Sequence, residues 1–207
     1  MSPAALLRSD LRLIAQMVPH GARVLDLGCG DGSLLAHLRD HRGCEVRGVE
    51  LNHPEIAAAI ARGISVVEAD LDQGLEGYPD ASFDLVILSQ TLQVVRRPDL
   101  VLREMLRVGK HSIVSFPNFA YWRLRGYLFA KGRMPMSRAI PFSWYDTPNI
   151  HHTTIKDFRD FVDACGGEIE REIPLLTQAW HREDVKRINV WPNLLADTAV
   201  ALVKAKG

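Results

Sequence analysis

The run Val24-Leu25-Asp26-Leu27-Gly28-Cys29-Gly30-Asp31-Gly32 constrains this chain more than any other feature. A short apolar strand carrying one acid meets glycines at three alternate positions, and a helical pattern starts at once near Ser33. Glycine is required where a backbone turns sharply from strand to helix or must lie against a ligand, because a Cβ would block the approach. The dinucleotide spacing G-x-G-x-x-G would need a third glycine at position 33, where Ser33 stands. A pyrophosphate is therefore not the favoured guest. A glycine-rich turn with no ligand is the plain alternative, and the rest of the chain decides between them.

Downstream, strand and helix patterns alternate: strand 23–28, helix 32–40, strand 45–50, helix 54–62, strands 64–69 and 84–89, helix 98–107, strand 112–116. Continuous apolar strands such as Leu85-Val86-Ile87-Leu88 belong to parallel sheets covered on both faces. An amphipathic helix over 5–18 is expected to cover the ligand side of the sheet, and a helix over 154–165 with strands near 168–174 and 197–204 completes the pattern. A chain of 207 residues fits one domain, 1–207, with room for an insertion.

Lys plus Arg equals Asp plus Glu at 25 each, so no general field draws the chain to nucleic acid or to a membrane. Cys29, Cys44 and Cys165 lack C-x-x-C spacing, which predicts reduced thiols, no metal site and a cytoplasmic location. The N-terminus reads as amphipathic rather than as a signal peptide, and no run reaches the roughly 20 apolar residues a membrane span needs.

Three further features share a spacing with the glycine loop. Glu50 ends the second strand twenty positions after Gly30, Asp70 ends the third, and Phe83-Asp84-Leu85-Val86 opens the fourth. Over residues 20–117 this series resembles the class I S-adenosylmethionine methyltransferases. The resemblance implies a Rossmann-like α/β fold: a seven-stranded, mostly parallel sheet, an antiparallel last strand inserted near an edge, and helices on both faces. It also implies S-adenosylmethionine or S-adenosylhomocysteine as cofactor. Asp26 would then act through the loop of Gly28, Cys29 and Gly30 on the cofactor's ammonium. A Glu50 carboxylate accepts from both ribose hydroxyls more strongly than a neutral group does. Leu51 would pack on the adenine face. Asp70 would accept from the exocyclic amine and the Leu71 amide would reach a ring nitrogen, with Asp72 as a rival to Asp70. Ser89 and Gln90 would face the methionine part at the switch-point crevice.

Methyl transfer needs an aligned acceptor and often a base, and no catalytic base is identifiable. Gln93 stands where related enzymes often carry His, and no Asn-Pro-Pro-Tyr motif follows the fourth strand. His151 and His152 are adjacent, so their side chains point apart, and neither has an assignable role; His181 reads as part of a solvated face.

Residues 119–150 break the alternation. They hold Phe119, Tyr121, Trp122, Tyr127, Phe129, Phe142, Trp144 and Tyr145, and five basic residues against the single acid Asp146. Such an insertion over the carboxyl ends of the strands is expected to be a lid or a partner surface, or else to pack its aromatics into a small core of its own. Three stretches carry a closer resemblance: Val114 to Arg123, His151 to Phe161, and Val190-Trp191-Pro192-Asn193-Leu194-Leu195. With the glycine loop and the Ser89–Lys110 stretch, they are similar to the methionine biosynthesis protein W (MetW) family over nearly the whole chain. That resemblance implies a role in methionine biosynthesis as partner or activator of a homoserine O-acyltransferase, with 119–150 as the contact surface. The alternative reading is a methyltransferase acting on a small molecule.

Overall fold

The sheet grows outward in both directions from the strand that carries the glycine loop. In the computed structural model, which describes residues 7–137, 139–177 and 186–207, that strand is β1 (Arg23–Leu27). On one side lie β2 (Glu45–Glu50) and β3 (Val66–Glu68), on the other β4 (Phe83–Ser89) and β5 (Gly109–Pro117), all parallel. The chain leaves β1 in one direction and later returns to its other side, so the strand order reverses between β1 and β4. In open α/β sheets the crevice at the carboxyl end of that reversal is where ligands bind.

Both faces of the sheet are buried, which explains its apolar strands. Leu25, Leu27, Val86, Leu88 and Phe116 pack on one face under α4 (Pro98–Val108) and α6 (Ile155–Ala164). Val24, Leu85 and Ile87 pack on the other under α1 (Ser9–Met17) and α2 (Ser33–Arg42). Helix α3 (His53–Ala61) is started by Asn52, whose side chain accepts from the Glu55 amide. Helix α6 starts with a reciprocal cap between Thr154 and Asp157.

The described sheet has eight strands, not the expected seven, in the order β3-β2-β1-β4-β5-β8-β6-β7. The last strand, β8 (Thr198–Ala205), is inserted antiparallel between β5 and β6 (Gly167–Leu176), as the resemblance implies. The extra strand, β7 (Lys186–Arg187), is two charged residues pairing with Leu175 and Leu176. Nothing so short and polar has a readable period. The expected helix over 5–18 begins at Ser9; residues 1–6, and His181 within 178–185, lie outside the described residues.

After β5 the chain runs through Asn118 into α5 (Trp122–Lys131) and a long irregular stretch. Asn118 is fully buried. Its amide donates to the carbonyls of Asn193 and Ala196, and its oxygen accepts from the Ala120 and Ile155 amides. One side chain thus ties the exit of β5, the start of α6 and the short helix α7 (Pro192–Leu195). Tyr121, Leu124 and Ile140 form a small separate core, with Phe119 packed against it.

Candidate functional site

The glycine loop is shaped by close approach. Gly28, Gly30 and Gly32 all have positive φ. A Cβ on Gly28 would lie 2.8 Å from Thr91 Oγ1, and one on Gly32 would lie 2.9 Å from the Ala59 Cβ. The loop is also tied down, since the Gly28 and Cys29 amides both donate to the Val49 carbonyl at 2.8 and 3.1 Å. Beneath it Cys29 Sγ occupies the space over Gly48, where a Cβ would be only 2.4 Å away. Gly48 escaped notice in the sequence, although a glycine inside a strand is the usual signal of such an approach. Burial, reinforced by the charges of Asp26 and Glu50, pushes the Cys29 thiol up to about 12, so it is a packing group and not a nucleophile.

Asp26, at the end of β1, is 3% exposed, and its Oδ1 has no hydrogen-bond partner. Burial first, and the neighbouring Glu50 charge second, push its carboxyl up to about 8, while Arg8 acts in the opposite direction. An unsatisfied buried carboxylate oxygen is costly, and a cationic guest would relieve it. Glu50 is wired differently: its Oε2 accepts from the Gly30 amide at 2.9 Å, and its Oε1 from the Leu51 and Asn52 amides at 2.8 and 3.0 Å. This carboxylate therefore already holds loop and strand end together.

Asp70 and Asp72 differ in their partners. Asp72 Oδ1 accepts from the Arg96 and Arg97 amides, both at 2.8 Å, anchoring the approach to α4. Asp70 uses only Oδ1, on the Asp72 amide, at the partly exposed end of β3. Leu51 is exposed, whereas the Leu71 side chain packs into the core. At the end of β4, Ser89 Oγ lies 3.1 Å from Ser115 Oγ. Gln90 has φ +56°, a strained value for a residue with a side chain. It is held there by its amide on Ser115 and its carbonyl under Gln93 Nε2.

Two neighbouring cavities open on this crevice. One, of about 550 Å³, is lined by Asp26, Gly28, Cys29, Gly30 and Ser89; the other, of about 720 Å³, by Gln90, Gln93, Val94, Phe142 and Thr198. Leu7 and Arg8 line both. The fold thus brings five of the expected residues into one cavity and puts Gln90 in the next. Glu50, Leu51, Asp70 and Leu71 stand outside both. The N-terminal wall was legible only as an amphipathic helix, and Arg8 was missed because a single cation ahead of a helix has no pattern. Gln93 is 5% exposed, with its Oε1 unpartnered. His152 stacks on Phe119 at 4.3 Å between ring centroids, while His151 Nε2 is buried without a partner. Among the described residues no group of three His, Cys, Asp or Glu could hold a metal ion.

Comparisons with known proteins bear on the family and the fold. The model of the family described as "Methionine biosynthesis protein MetW" matches residues 8–203. A bifunctional methionine biosynthesis protein MetXA/MetW of Rhodopirellula baltica is 42% identical over 205 residues, covering 94% of this chain and 32% of that one. The chain spans about a third of the length of the first curated relatives it matches. Among solved structures, a possible histamine N-methyltransferase of Thermotoga maritima superposes with a TM-score of 0.70 at 20% identity, over 96% of this chain and 88% of that one. An S-adenosylmethionine dependent methyltransferase of Mesorhizobium loti gives 0.67 at 23%, over 94% and 95%. At these identities the structures show the fold alone: a Rossmann-like methyltransferase fold.

Proposed function

The chain belongs to the methionine biosynthesis protein MetW family, and on that premise we propose that it binds S-adenosylmethionine and acts as partner or activator of a homoserine O-acyltransferase. The observation that carries the partnership is the relative whose name joins MetXA and MetW in one polypeptide, two thirds of which lies outside the match to this chain. Fusion fixes two modules at high effective concentration, an arrangement that benefits proteins working in contact. The surface for the partner is residues 119–150, where Phe129, Trp144 and Tyr145 are 95%, 74% and 77% exposed. Aromatic side chains beside arginines are the types that dominate binding energy at interfaces.

The cofactor half of the proposal rests on the fit of the residues. The unpartnered Asp26 oxygen suits the ammonium, and Gly28, Cys29 and Gly30 line the same cavity, with open space beside Gly30. In this reading Glu50 would accept from the ribose hydroxyls, Leu51 and Asp70 would contact the adenine together with the Leu71 amide, and Ser89 and Gln90 would face the methionine part. When bound, the sulfonium supplies a methyl group with its leaving group built in. Among the described residues no helix is long and apolar enough to cross a membrane. The three cysteines are buried and free, which fits a reducing cytoplasm.

A second reading, a small-molecule methyltransferase, is favoured by one observation: the 720 Å³ cavity beside the cofactor cavity, a size suited to a metabolite. Two measurements separate the readings. Affinity capture from native extract, with and without S-adenosylmethionine, is expected to retain the acyltransferase; labelled methyl transfer to an extract of cell metabolites, with no acyltransferase retained, would establish the second reading instead. Titration calorimetry tests the cofactor directly, and absence of heat with either S-adenosylmethionine or S-adenosylhomocysteine at millimolar concentration would sink that half.

A further inference from the structure

We propose that Gln93 is a positioning residue that couples the cofactor crevice to the partner-facing segment, so that cofactor occupancy and acyltransferase association strengthen each other. The inference rests on both halves of the reading above and adds the link between them. Gln93 stands in the turn that follows β4, and its two ends serve different regions. Its side-chain Nε2 donates to the Gln90 carbonyl at 2.8 Å. Its main-chain carbonyl accepts from the Ile150 and His151 amides at 2.9 and 3.1 Å. One buried residue thus holds both a wall of the crevice and the point where 119–150 rejoins the domain. The 720 Å³ cavity is lined by residues of both regions, Gln90 and Gln93 from the turn and Phe142 and Asn149 from the segment.

The same turn touches the cofactor cavity. Ser89 lines it beside Gly28, and Thr91 Oγ1, which donates to the Ser89 carbonyl at 3.1 Å, lies where a Cβ on Gly28 would be only 2.8 Å away. Gln90 is pinned at φ +56° between its amide on the Ser115 carbonyl, at 2.9 Å, and the Gln93 side chain. Beside this strain, Gln93 Oε1 and His151 Nε2 are both buried without partners. Each is a cost that a second arrangement of the junction would relieve. An element with two arrangements is what coupling between separate sites requires. A ligand packed against Ser89 and Gln90 favours the arrangement in which Gln93 holds Ile150 and His151. A segment ordered in advance loses less freedom when a partner binds it.

The test uses the full chain and Gln93→Met, which keeps the length of the side chain and removes its donor. Amide hydrogen exchange is followed over 147–152 with and without S-adenosylhomocysteine, and calorimetry measures the affinity for the homoserine O-acyltransferase of the same genome in both states. In the unaltered chain the ligand is expected to slow exchange at Ile150 and His151 and to tighten association about tenfold. The acyltransferase should tighten S-adenosylhomocysteine by the same factor, because coupling between two binding sites is reciprocal. In Gln93→Met that ratio should fall toward one, whereas a merely structural Gln93 would weaken both affinities and leave the ratio as it was. Binding of S-adenosylhomocysteine that changes neither the exchange nor the association overturns the coupling and leaves the cofactor reading standing, with no need of the variant. Exchange that responds while no acyltransferase binds in either state overturns the partner reading, and the coupling with it. If the unaltered chain does not bind S-adenosylhomocysteine at all, it is the cofactor reading that fails, and this inference falls with it.

Discussion

The glycine loop and the segment 119–150 both lie over the carboxyl ends of the strands, and they are built on opposite rules. Around the loop most contacts are used: a Cβ on Gly28 or Gly32 would collide, Glu50 takes three backbone donors, and the thiol of Cys29 fills the space over Gly48. In 119–150 a three-residue core holds the segment in place while Trp122, Tyr127, Phe129, Trp144 and Tyr145 face outward. In the proposed reading, a site for one small molecule would be specified by steric exclusion and by the one unsatisfied Asp26 oxygen. A surface for another chain would be specified by what it leaves uncovered. Substitutions should therefore act on stability or small-ligand affinity in the first region, and on association alone in the second.

The largest expected effect is a pH dependence centred on Asp26. The folded chain holds that proton up to about 8, against an ordinary value of 3.8 when unfolded. The unfolded chain releases it first, so the stabilising contribution is complete below pH 3.8 and is lost as pH rises toward 8. At about 1.4 kcal/mol per pH unit, the loss amounts to roughly 4 kcal/mol between pH 4 and pH 7. Urea unfolding across that range should show a slope in the native chain that Asp26→Asn removes. Affinity for S-adenosylmethionine should rise over the same range, because the ionised carboxylate is the form that receives an ammonium. Parallel stability profiles for the two proteins would mean that Asp26 is not strained and that the contrast between the regions is overdrawn.

Gly48→Ala comes next. The new methyl would displace Cys29 Sγ from 2.4 Å, and overpacking of a tight core costs about 1 to 3 kcal/mol, with the upper end expected here. Cys29→Ala in the same chain should recover part of the loss, since the Cys29 Cβ at 3.1 Å and Leu35 at 3.3 Å still crowd the site. A double-mutant cycle by denaturant unfolding measures this, and strict additivity would deny the contact.

These residues also mark how far the sequence could be read. The alternation of strands and helices, the glycine loop, Glu50 and the antiparallel last strand were legible because each follows from a short-range pattern or a fixed spacing. Gly48, Asn118 and Arg8 were not, because their importance lies in partners 19 to 78 positions away or, for Arg8, in a cavity that exists only after folding. The difference between Asp70 and Asp72 likewise lies in the Arg96 and Arg97 amides, which no spacing connects to them. The two-residue strand β7 has no pattern at all.

Glu50→Ala tests whether loop geometry and ligand affinity are the same property. It removes the acceptor proposed for the ribose hydroxyls and also strands the Gly30, Leu51 and Asn52 amides, so the loop is expected to loosen as the contact is lost. We expect a loss of about 1.5 to 3 kcal/mol in S-adenosylhomocysteine affinity by calorimetry, roughly ten- to a hundred-fold. Glu50→Gln keeps one acceptor oxygen and should fall between the two. Affinity unchanged in Glu50→Ala would separate the loop from the cofactor.

The smallest effect, and the one that bears most directly on the second region, is expected from Trp144→Ala. The indole is mostly exposed, and its recorded ring contact is edge-on to Tyr145 at 5.6 Å, so its removal should change stability by no more than about 0.5 kcal/mol. If the segment receives the acyltransferase, the same change removes a large flat apolar area from the interface and should weaken association by about 2 kcal/mol, with S-adenosylmethionine affinity untouched. Trp122→Ala, whose ring carries the Arg123 guanidinium 5.5 Å from its centroid, should behave in the same way. Association is read from copurification at graded protein concentrations and cofactor affinity from calorimetry on the same preparations. Native levels of copurification by the double variant would remove the partner role from 119–150. The segment would then be the wall of the 720 Å³ cavity alone, and the weight would shift to the small-molecule methyltransferase.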